Sequence, residues 1–162
     1  MTHRSCTRGF TLVETLIATG LLVTAIAGLA HLFASSVRFT RDSGQFGVAL
    51  AAAQDKLEAL RALRFAYDEG GEIVTDPGLT ASPVASLSED EAGCVDWLDA
   101  SGAMLPGAHG AEYVRRWRIT AIAADEPEAI AIDVCVFSMH SANRRDPQQA
   151  DACLATIRVR QP

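Results

Sequence analysis

The sequence predicts an α+β fold: one long N-terminal α-helix packed on a C-terminal antiparallel β-sheet. Three observations predict it. From Phe10 to Val37 the chain is almost wholly apolar, with Glu14 and His31 its only ionisable groups. From Phe39 to Leu60 apolar residues recur at helical spacing. From Tyr113 to Arg160, three segments alternate apolar with polar residues and are rich in β-branched side chains.

The helix comes first. About 20 apolar residues suffice to cross a bilayer, so residues 10–37 read as a membrane-spanning half-helix. The stretch is longer than the apolar region of about 7–15 residues in a cleaved secretory signal. Arg4 and Arg8 precede it and Arg38 and Arg41 follow it, so basic residues alone do not orient it. Residues 38–66 read as an amphipathic continuation. Phe39, Phe46, Leu50, Ala53, Leu57 and Leu60 form one stripe, with Arg41, Asp42, Gln45, Asp55, Lys56, Glu58 and Arg61 opposite. No proline interrupts Phe10 to Arg64, and Gly44 and Gly47 are the expected points of bending.

Residues 67–162 form the folded remainder. "DEGGE", "DPG", "ASP", "ASG" and "LPG" punctuate its first part as turns, with short strands expected near "EIV" and "CVDWL". The segments "YVRRWRITAIA", "AIAIDVCVFS" and "CLATIRVR" read as sheet, with "ADEPE" as a hairpin turn between the first two. Ile130, Ile132, Val134 and Val136 share one face, and Cys153, Ala155, Ile157 and Val159 share another. Those two faces laid on the helical stripe are the expected core.

Four cysteines occur and none lies in a C-x-x-C pair. Cys135 and Cys153 sit on neighbouring expected strands, where a disulfide would close a loop worth about 3 kcal/mol in the chain-entropy model. Their pairing sets Asp133 against Ala155 and Ala131 against Ile157, an imperfect match of faces unless a bulge intervenes. Cys94 is the alternative partner, and three reduced, buried thiols are the plain alternative.

The charge balance, 14 Lys and Arg against 20 Asp and Glu for a net −6, argues against a generic nucleic-acid surface. A cut after Gly9 removes Arg4 and Arg8 and makes the remainder more acidic. No P-loop, H-E-x-x-H or G-x-S-x-G is present. Ser43 in "RDSGQ" falls on the long helix with no histidine indicated beside it. His3, His31, His109 and His140 lack ligand spacing, and "SEDEAGCVDWLD" lacks the oxygen pattern of a calcium loop. Trp97 and Trp117 read as core or edge aromatics. The expectation is a non-enzyme with no metal and no cofactor.

Glu14 is the exception inside the apolar run. A charge at mid-bilayer costs about 2.5–3.5 kcal/mol on insertion scales. "TLVE" fits a capping box, with Thr11 as N-cap and Glu14 reaching back to it, and a carboxylate also suits the positive end of the helix dipole. A residue so near the front can also snorkel to the interface. Capping explains why the acid is tolerated, but not why a basic stretch ending in Gly9 stands before it. If the Gly9–Phe10 bond is cut, the new α-amino group of Phe10 is largely cationic near neutral pH. Glu14 is then its natural counter-charge, in the same chain or in a neighbour staggered along the helix axis.

The stretch "RGFTLVETLIATGLL" resembles the class III signal of type IV prepilins, matching Gly-Phe-Thr-Leu-hydrophobic-Glu at every position. The resemblance implies peptidase cleavage between Gly9 and Phe10, N-methylation of Phe10, and Glu14 as the assembly glutamate that pairs with an N-terminal amine. It implies four parts: residues 1–9 a cleaved basic leader, 10–37 a transmembrane and filament-core half-helix, 38–66 the amphipathic half, and 67–162 the globular domain. The implied partners are a prepilin peptidase, other pilin and minor pilin subunits, an inner-membrane platform protein and an assembly ATPase. The implied location is the bacterial inner membrane, single-pass with a periplasmic domain, and afterwards the filament. "AAAQDKLEALRAL" and "MLPGAHGAEYVRRWRITAIA" resemble PilV-type minor pilins. A helix-breaking proline common in major pilins is absent from the apolar half, where Gly20, Gly28 and His31 stand instead. The expected function is a minor pilin that helps initiate or cap a type IV pilus. Two alternatives stay open: a type II secretion pseudopilin, and a membrane-anchored periplasmic binding domain that never polymerises.

Overall fold

A computed structural model describes residues 11–122, 128–141 and 145–161. One helix, α1, runs Leu12–Ala62. Seven strands follow: β1 (Phe65–Tyr67), β2 (Ile73–Thr75), β3 (Val95–Leu98), β4 (Met104–Leu105), β5 (Tyr113–Ala121), β6 (Ala129–Ser138) and β7 (Ala152–Val159). Single 3₁₀ turns lie at Pro77–Leu79, Val84–Leu87 and Pro147–Gln149. The chain divides into two compact units between Ser43 and Gly44. The α+β arrangement of a long N-terminal helix and a C-terminal antiparallel sheet is thus present.

The first unit contains the front of α1. Its apolar side chains face outward: Leu12 is 78% exposed, Phe33 71% and Phe39 73%. Gly44 and Gly47 both lie within α1.

In the second unit the back of α1 lies on a five-stranded antiparallel sheet of order β4-β3-β5-β6-β7, and β1 and β2 form a separate hairpin. Ala49, Ala52, Ala53, Leu57 and Leu60 are the buried helix residues. Alanines at three of these positions let the helix approach the sheet closely. The expected stripe therefore needs correction at its front: Phe39 and Phe46 are exposed, and burial begins at Ala49. Beyond the helix, Gly78 sits so close to Leu63 that a Cβ there would stand 2.8 Å from Leu63 Cδ1. A larger residue there would have to displace that Leu63 methyl.

Ile130, Ile132, Val134 and Val136 of β6 face the helix and are buried. Their neighbours in β7 are Arg158, Thr156, Leu154 and Ala152. The expected β7 core face is therefore reversed. Cys153, Ala155, Ile157 and Val159 lie on the opposite side of the sheet and are exposed. Cys135 stands directly across from Cys153, Asp133 from Ala155 and Ala131 from Ile157, in regular register with no bulge. A disulfide joins Cys135 to Cys153, and Cys94 is a buried free thiol. Leu87, Val114, Cys135 and Phe137 form a second, smaller core on that side. The expected "ADEPE" turn lies almost wholly outside the described residues. On either side of it, Ile122 N–H donates to Ala129 O at 3.0 Å.

Candidate functional site

The front of α1 carries the residues singled out by sequence. Gly9 and Phe10 lie outside the described residues. Thr11 occupies the N-cap: its carbonyl accepts from Thr15 N–H at 3.2 Å, and its Oγ1 accepts from Glu14 N–H at 3.3 Å. That satisfies one of the four donors every helix start leaves open. Glu14 is exposed in the first turn. Among the described residues its carboxylate has no hydrogen-bond or ion-pair partner.

Behind Glu14 the helix surface is apolar despite several hydroxyls. Thr15, Thr19, Thr24, Ser35 and Thr40 each donate to carbonyls three or four residues earlier in α1. Their polar hydrogens are thereby satisfied within the helix, which is the condition for placing a hydroxyl in hydrocarbon. Among the described residues one helix is long and apolar enough to cross a membrane, and none of its most apolar stretch is buried. Glu14 is the sole carboxylate between Thr11 and Arg41.

A second polar cluster holds the back of α1 to the sheet. Arg115, 3% exposed on β5, places Nε and Nη2 on Asp96 Oδ2 at 3.1 and 2.7 Å. Its Nη1 donates to the helix carbonyl of Ala52 at 2.8 Å. Lys56 Nζ reaches the same Asp96 oxygen at 3.1 Å and lies 3.5 Å from the centre of the Trp117 ring. Lys56 thus belongs to the sheet side of α1 rather than the solvent side expected for it. On the other side of β5, Arg116 pairs with Asp90 at 2.7 Å and stacks over Phe137. The sequence held a sign of both pairs: "RRWR" inside an apolar strand requires carboxylates nearby, because a buried charge must be paired.

Among the described residues, three groups depart from their ordinary acidity. Hydrogen bonds from the Ser101 side chain, then from the backbones of Ala103 and Ser101, hold the Asp99 carboxyl low. They close a turn that needs Gly102 at φ 86°. Burial, then the charges of Asp151 and Glu112, push the Tyr113 phenol up. Burial, then neighbouring Arg61, holds Arg158 low.

A cavity of about 350 Å³ opens between the β1–β2 hairpin and the ends of β5 and β6, with Phe65, Leu79, Ile119, Ile130 and Arg160 in its walls. Arg160 bonds Thr75 Oγ1 at 3.1 Å and stacks on Phe65, so it serves to fix the hairpin. Among the described residues, no three His, Cys, Asp or Glu side chains gather as they would around a metal ion. This chain matches no protein-family model, no curated protein and no solved structure.

Proposed function

We propose that this chain is a type IV pilin-like subunit, a PilV-type minor pilin that enters a pilus after processing and helps initiate or cap it. The observation that carries the reading is the run Gly9-Phe10-Thr11-Leu12-Val13-Glu14 at the head of an exposed, membrane-length apolar helix. A peptidase cut after Gly9 frees a cationic amine at Phe10, which N-methylation modifies without removing its charge. The carboxylate of Glu14, which has no ion-pair partner among the described residues, supplies a site for such an amine in low-dielectric surroundings, where the attraction is poorly screened. A neighbouring subunit meets that need when its helix is offset along the axis, so the charge pair selects one stagger of parallel helices. The apolar flanks supply contact area and the single acid supplies register.

In this reading the precursor waits in the inner membrane with the second unit in the periplasm. A platform protein and assembly ATPase then move it into the filament. The role is one of assembly rather than catalysis.

The test is Glu14→Ala in the full precursor, with Gly9 intact. The expected result is normal removal of residues 1–9 and failure to enter filaments. Wild-type incorporation of Glu14→Ala would remove the charge pair from the account. Expression in a strain lacking its own minor pilin, scored for piliation against protein secretion, separates a pilus role from a pseudopilin role.

A further inference from the structure

The Cys135–Cys153 disulfide joins two sulfurs in unlike surroundings. Cys135 is 3% exposed and packs with Leu87, Val114 and Phe137. Cys153 is exposed on β7, the last strand of the sheet. Pro147 O lies 3.6 Å from its sulfur and leaves that exposure in place. A thiolate that opens a disulfide approaches from behind the sulfur it strikes, roughly in line with the bond. The bond bridges β6 to β7, so the approach to Cys135 comes from β5. There stands Arg116, directly across from Cys135, 4% exposed, paired with Asp90 and stacked over Phe137. The approach to Cys153 comes from beyond the last strand, and β1 meets the chain past the far end of β7, at Gln161. Cys94 takes no part. Its buried thiol belongs to the core on the helix side of the sheet, 3.4 Å from Ser82 Oγ.

We propose that Cys153 Sγ is the atom at which a partner dithiol of the C-x-x-C class, as carried by thioredoxin-like oxidoreductases, opens and closes this disulfide. In the opening direction one thiolate of the dithiol attacks Cys153 Sγ. A bond forms between those two sulfurs, the Cys135–Cys153 bond breaks, and the electron pair leaves on Cys135 Sγ, which takes a proton from solvent. The second thiol of the dithiol, its proton lost to solvent, then attacks the partner sulfur of the mixed disulfide. Cys153 departs as a thiolate and takes up a proton. Two electrons and two protons have passed from the dithiol to the chain, and the dithiol is left as a disulfide. Closure is the same path reversed, with the oxidised partner as reactant. The register selects a dithiol over a single thiol. β6 holds Cys135 directly across from Cys153, at high effective concentration, so Cys135 expels a bound monothiol before a second one arrives. A dithiol carries its own second thiol and completes the exchange. The inference stands apart from processing at Gly9 and from the role of Glu14.

The experiment uses the full chain in lipid nanodiscs with Cys6→Ser, which removes the cysteine outside the described residues. Cys135→Ser and Cys153→Ser each leave one sulfur of the pair as a free thiol. Both lack the disulfide and both keep Cys94, so a common loss of stability cancels. The probe is a single-cysteine thioredoxin activated as its nitrothiobenzoate disulfide, which releases a coloured thiolate as the mixed disulfide forms. Cys135→Ser, which keeps Cys153, is expected to react about tenfold or more faster than Cys153→Ser. Equal rates, or the opposite order, overturn the proposal. A second measurement uses the oxidised chain, whose disulfide and fold are intact. Dithiothreitol is expected to open the bond about tenfold or more faster than mercaptoethanol at equal thiol concentration. Equal opening by the two, or no opening by dithiothreitol until a denaturant is added, overturns it likewise.

Discussion

At the scale of single residues, charges decide the outcome. Asp96 serves two cations at once, Arg115 and Lys56, and its side chain is only 13% exposed. Removing it leaves buried Arg115 with only the exposed Asp55 carboxylate, 3.5 Å from its Nη1, and stripping one partner from a buried pair is costlier than replacing both. Asp96→Ala is expected to destabilise the second unit by about 3 kcal/mol, read from chemical denaturation. A change below about 0.5 kcal/mol, the size of a surface effect, would mean the pair contributes nothing. Tyr113 gives a pH dependence of definite sign. Its phenol ionises at higher pH folded than unfolded, so the unfolded chain loses its proton first. Stability should therefore fall as pH rises past about 10, the ordinary tyrosine value. Tyr113→Phe should flatten that part of the profile.

At the scale of elements, the disulfide and the strand faces matter most. Cys135 and Cys153 close a loop of sequence separation 18, worth about 3 kcal/mol through the unfolded chain. Reduction should lower the unfolding midpoint accordingly, and an unchanged midpoint would contradict that contribution. Long periodic elements were legible in the sequence: β6 coincides with "AIAIDVCVFS", and β5 and β7 fall within a residue or two of their segments. β1 and β4, three and two residues long, are too short to show a period. The face of β7 was misread because Cys153, Ala155, Ile157 and Val159 are the more apolar set. Its true inward set includes Thr156 and Arg158, whose polar ends reach past the core edge, Arg158 to the Leu60 carbonyl. Regular pairing with β6 decides the matter, and local hydrophobicity does not register it. Lys56 was misplaced for a related reason: a lysine reads as solvent-facing until an acid and an aromatic ring on another element are brought beside it. The front of the candidate site was legible because its residues are consecutive, whereas Arg115, Asp96 and Lys56 meet only through the fold.

At the scale of the whole molecule, the chain joins an exposed apolar helix surface to an acidic folded unit with a core of its own. Such a chain should resist alkaline carbonate extraction from membranes and dissolve only in detergent; release by carbonate would contradict a spanning helix. The functional account adds one claim to that division, namely that trimming creates the positive charge which Glu14 awaits. The most direct test is the intact mass and N-terminal peptide of protein purified from its own membranes. The account predicts a chain beginning at N-methylated Phe10. A functional chain still carrying Met1 through Gly9 would contradict it.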